Sequence, residues 1–93
     1  MDIDEYQDRS LEVGTGLHSL SNNLYDSIED EAPFDELHKL FISATNKIKQ
    51  YENLHEECSE IWKKGLEDSY LDYIKRLHKY IKQLKEKYPT IDE

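Results

Sequence analysis

The feature that most constrains this chain is an unbroken heptad register. Leu37, Phe41, Ala44, Ile48, Tyr51, His55, Cys58 and Trp62 follow one another at alternating steps of four and three. At 3.6 residues per turn this alternation keeps every member on one side of a helix, whereas the two-residue period of a strand would scatter them over both faces. Leu40, Leu54 and Ile61 flank the seam and widen it from a coiled-coil edge toward the broader stripe of a bundle helix. The spacing predicts a helix over about 33–64, opened by Pro33, whose fixed φ suits a first turn.

Lys63, Lys64 and Gly65 predict where that helix stops, because cations favour a helix C-terminus and glycine suits the left-handed residue after it. In such a cap Ile61 and Leu66 would touch, with the turn at 65–68. Asp68 or Ser69 then caps a third helix, and Asp72 follows Ser69 at the spacing of a capping box. Tyr70, Ile74, Leu77, Ile81, Leu84 and Tyr88 repeat the same alternation, and Pro89 closes it, which gives a helix over about 69–88. Two seams joined by a short turn imply an antiparallel hairpin. The rival is one helix from Pro33 to Tyr88 with a phase slip at Gly65.

A weaker helix is expected over about 15–30, where Leu17, Leu20, Leu24 and Ile28 share a face. Gly14, Gly16, Ser19, Ser21, Asn22 and Asn23 reduce its intrinsic propensity, so it is expected to order on packing or binding. Residues 1–10 lack a sustained apolar period and are expected to form an acidic flexible tail, leaving 11–93 as a single helical domain. Three glycines and two prolines in 93 residues agree with long helices rather than turn-rich sheet. The expected fold class is all-α, a long helical hairpin with a weaker N-terminal helix, in a three-helix bundle or a coiled-coil-like arrangement.

Cys58 is the only cysteine, so the chain has neither an internal disulfide nor a CxxC pair, which fits an intracellular protein, cytoplasmic or nuclear. No apolar run approaches the ~18 residues of a membrane span, and no export signal is read in Met1–Asp8. His55 and Cys58 are spaced for two metal ligands, and Glu52 with His55 makes one Glu-x-x-His step, but neither pair completes a site. Gly14-Thr15-Gly16 is too short for a phosphate cradle and lies among acids. No catalytic residue, metal or cofactor is expected, and the chain is not expected to be an enzyme.

What remains is recognition. Seven tyrosines and one tryptophan outnumber two phenylalanines, a balance suited to half-buried interface positions. Leu17, Leu20, Leu24, Ile28, Tyr51, Trp62, Tyr73 and Tyr80 are the candidate contacts to a helical protein partner in a homo- or hetero-oligomer. The net charge of −9 is unevenly spread, since residues 1–36 carry eleven acids and only Arg9 as a base. Asp26, Glu29, Asp30, Glu31, Asp35 and Glu36 are thus the alternative working surface of a stand-alone inhibitor or immunity-type protein that masks a basic partner. Lys75, Arg76, Lys79 and Lys82, interleaved with tyrosines, form a third candidate surface for nucleic acid, which the overall negative charge disfavours.

Overall fold

The computed structural model describes residues 1–92. It contains three helices, α1 (Ile3–Glu29), α2 (Phe34–Glu57) and α3 (Glu60–Lys87), packed into an up-down-up three-helix bundle about 42 Å long. Cross-helix contacts fix the directions. Arg9 meets Glu57 and Gly16 approaches Lys47, so α1 and α2 are antiparallel. Tyr6 meets Trp62 and His18 meets Tyr73, so α1 and α3 run parallel.

The two heptad seams and the leucine face of the first helix converge on one core. Leu17, Leu24, Leu37, Leu54, Leu66, Leu77 and Leu84 are fully buried there, with Val13, Phe41, Ala44, Ile48, Tyr51, Cys58 and Ile74 beside them. Each burial of a leucine side chain contributes roughly 1.5–3 kcal/mol. The hairpin, rather than the single long helix, is what the chain adopts.

Its turn is not at 65–68. The helix ends at Glu57, and Cys58 and Ser59 take extended backbone (ψ 165° and 156°) to reverse the chain, with Ser59 in the N-cap position of α3. Gly65 lies inside α3 on the solvent side, and Asp68 and Ser69 are helical rather than caps. The reason is tertiary. A reversal at 58–59 yields helices of 27, 24 and 28 residues that cover one another along their length, whereas a stop near 64 would leave a long second helix beside a short third. Covering the stripe outweighs the ~1 kcal/mol that a glycine costs within a helix.

The first helix is also longer than its periodicity predicts. Residues 3–10, expected as a tail, form its first two turns. Asp2 starts them, its carboxylate accepting from the Glu5 amide at 2.8 Å, and Asp4 and Glu5 complement the positive end of the helix. Tyr6 then stacks on Trp62, Arg9 Nη2 donates to Glu57 Oε2 at 2.7 Å, and Ser10 Oγ and Tyr70 Oη share a hydrogen bond at 3.2 Å. Gly14 has a packing purpose, since a Cβ there would lie 2.6 Å from the Tyr70 ring.

A Schellman cap is present, but at the end of α1. The Ala32 amide donates to the Ser27 carbonyl at 3.0 Å and the Glu31 amide to the Ile28 carbonyl at 3.2 Å, with Glu31 in the left-handed conformation (φ 53°) that glycine usually supplies. Pro33 follows and directs the chain into α2.

Candidate interaction surface

Most of the contact residues proposed from the sequence lie within the bundle. Leu17, Leu20, Leu24 and Tyr51 are buried in the core, and Ile28 is half-buried against it. Trp62 is occupied by Tyr6, with ring centroids 4.7 Å apart. Tyr73 is half-buried, edge-on to His18 at 5.7 Å with the Arg76 guanidinium 5.6 Å from its ring centre, and Tyr80 is half-buried against the core. These side chains are occupied by folding the chain, so they do not form an open face.

One open face is a groove between α2 and α3 that no residue of α1 lines, separate from a smaller depression between α1 and α2 walled by Asn23, Asp26, Glu36 and Lys39. Its main section, about 580 Å³, is walled by Ile42, Thr45, Lys49 and Glu52 on α2 and by His78, Ile81 and Lys85 on α3, with Phe41 and Ile48 reaching its floor. A second section of about 280 Å³ shares Glu52 and continues past Tyr51, His55, Glu67 and Leu71. The geometry follows from the seams. Phe41, Ile48, Leu77 and Leu84 turn toward the centre shared with α1, and the next stripe out on α2 offers short Thr45 and Asn46, which do not span the gap to α3.

Apolar surface is consequently left in water. Ile42 is 46% exposed and Leu71 38% exposed, and Ile81 is half-buried across the main section from Ile42. Ile42 and Leu71 each sit one residue beyond a seam member, Phe41 and Tyr70, a displacement that on a helix moves a side chain by ~100°. That offset was the available sequence signal for them.

At the second section His55 Nε2 donates to Glu67 Oε1 at 2.7 Å, bridging the two helices. Burial pushes the neighbouring Tyr51 hydroxyl above its ordinary pKa, and the negative charge of Glu67 adds to the effect. Cys58 Sγ is buried and donates to the His55 carbonyl at 3.6 Å, and among the described residues no three His, Cys, Asp or Glu side chains are grouped to hold a metal ion.

The two charged surfaces are both exposed. Asp26, Glu29, Asp30, Glu31, Asp35 and Glu36 gather at the α1–α2 turn, and Lys75, Arg76, Lys79 and Lys82 line the outside of α3. Although α1 packs along α3, the ion pairs among the described residues join none of the α1 acids to an α3 lysine. No helix among the described residues is long and apolar enough to cross a membrane. No protein-family description, no curated protein and no solved structure matches the chain.

Proposed function

We propose that this chain is a non-catalytic helical subunit that assembles with other helical chains in an intracellular multi-subunit complex, and that the α2–α3 groove is its docking face. The observation that carries this reading is the exposed apolar surface of Ile42 and Leu71 along the groove, with half-buried Ile81 facing Ile42 over a floor of Phe41 and Ile48. Two helices that present ridges with an unfilled groove accept a third helix in the manner α1 already uses on their other side.

Photo-crosslinking tests it. A photoreactive residue at position 42, installed in the full chain and activated in cell extract, is expected to form an adduct that maps to a helix of another protein, and the added substitution Leu71→Asp is expected to abolish that adduct. Both positions are exposed enough for the fold to persist, which circular dichroism checks. Failure of position 42 to crosslink, or an adduct indifferent to Leu71→Asp, removes the groove from the assignment.

A second reading is the acidic mask over a basic partner. It is favoured by the last turn of α1, which places Asp26 and Glu29 at the negative end of a helix with no basic residue to offset them. An adduct formed from position 30 but not from position 42, with an association rate that falls steeply with salt, would select it.

A further inference from the structure

The lining of the groove carries Lys49 and Lys85 against Glu52, Glu67 and Asp92, so its basic character lies on the α3 rim, and that rim identifies the helix it takes. On α3, Leu71, Lys75, His78, Lys82 and Lys85 recur at four, three, four and three, so they share one stripe, and His78, Lys85 and Leu71 of that stripe line the groove. Lys49 faces them from α2. The acids of the groove are largely engaged, Glu67 with His55 at 2.7 Å and Asp92 near Lys85 at 3.9 Å, which leaves Glu52 alone among the lining acids without an ion pair in the described residues. Lys75 and Lys82 are exposed and join none of the described ion pairs. The α3 rim with Lys75 and Lys82 is basic on a chain of net charge −9, a local departure from the whole.

The opposite side of the same two helices already holds an acidic helix. α1 has six acids and the single base Arg9, and its apolar face fills the space between α2 and α3.

Resting on the docking role of this groove, we infer that its occupant is an amphipathic helix of a partner protein whose apolar ridge is flanked by Asp and Glu, completing a four-helix arrangement. The ridge enters between Ile42 and Ile81, and the flanking carboxylates meet Lys75, Lys82 and Lys49. Charge of this kind selects the partner and its direction more than it adds affinity.

Two synthetic helical peptides of about three heptads test this. Both carry Leu at the core positions; one carries Glu at the flanking positions and its twin carries Lys, so that like charges keep each from pairing with itself. The full chain, labelled at isoleucine methyls, is titrated with each. The Glu-flanked peptide is expected to shift Ile42, Ile48 and Ile81, to bind about tenfold more tightly than the Lys-flanked one at low salt, and to lose that margin as salt rises. The double substitution Lys75→Glu, Lys82→Glu, both on the exposed wall, is expected to reverse the preference.

Equal binding of the two peptides, or a preference that survives the double substitution, overturns the acidic partner while leaving the groove as a helix dock. No methyl shift with either peptide overturns the dock itself. Light scattering that finds a dimer whose groove methyls ignore both peptides assigns the site to a second copy of this chain. A single-stranded oligonucleotide that displaces the Glu-flanked peptide assigns the lysine row to polyanions. Either of these last results also overturns the inference.

Discussion

Tyr6 and Trp62 stack with ring centroids 4.7 Å apart and an interplanar angle of 23°, joining the second turn of α1 to the first turn of α3. Neither residue has a sequence neighbour that announces the pair, and together they hold the amino-terminal end of α1 onto the bundle. Such a contact contributes about 0.5–1.5 kcal/mol beyond the area it buries. Tyr6→Ala is expected to lower stability by about 1–2 kcal/mol in denaturant melts. Trp62 is the only tryptophan, so the same substitution is expected to move its fluorescence emission to the red. Unchanged emission would mean that the stack does not form.

Glu31 occupies the left-handed position of the α1 cap with φ 53°. A side chain bearing a Cβ costs roughly 1 kcal/mol there, and glycine does not. Glu31→Gly is therefore expected to stabilise the bundle by about 1 kcal/mol, seen as a raised thermal midpoint, despite adding a glycine. A lowered midpoint would contradict the cap geometry.

The glycines of α1 and α3 are expected to respond in opposite directions to alanine. Gly65 has open space around it, so Gly65→Ala gains about 0.5–1 kcal/mol of helix propensity. At Gly14 the new methyl would press on the Tyr70 ring at 2.6 Å and displace the hydroxyl that bonds Ser10, so Gly14→Ala loses stability by an amount of the same order. Chemical denaturation of both variants separates the two effects.

Alkaline pH is expected to weaken the fold. Burial raises the pKa of Tyr51 and of Tyr6 above the ordinary 10.0. Above that value the unfolded chain releases these phenolic protons first, so the native state binds more protons and stability falls as pH rises. The stabilising contribution is fully present below about pH 10 and is lost through the raised native pKa. Tyr51→Phe is expected to flatten the stability profile above pH 10 while changing little at pH 7, which thermal melts across the series measure.

Helix type and face were written locally. The four-three alternation of residues 37 to 58 and of 70 to 88 survives as seams that are buried or half-buried throughout, and Pro33 marks the first reversal, because a helix's periodicity and its starting proline act within a turn or two of chain. Which exposed residues matter was less legible. Ile42 and Leu71 look like ordinary surface positions until α2 and α3 are set side by side, and Leu17, Leu20 and Leu24 look like a waiting interface until α1, which carries them, is folded onto α2 and α3.

The sequence by itself determined that the chain is helical, that it has three apolar stripes, and that residues 1–36 carry eleven acids against one base while most of the bases come after residue 62. Only the tertiary structure decided that the second reversal falls at Cys58 and Ser59 instead of Gly65, that residues 3–10 are helical, and that the open groove lies between α2 and α3. The physical reason is one of magnitude. Local preferences for a cap or a glycine differ by about 1 kcal/mol, whereas matching the lengths of three helices decides the burial of several large side chains at once, each contributing about twice that.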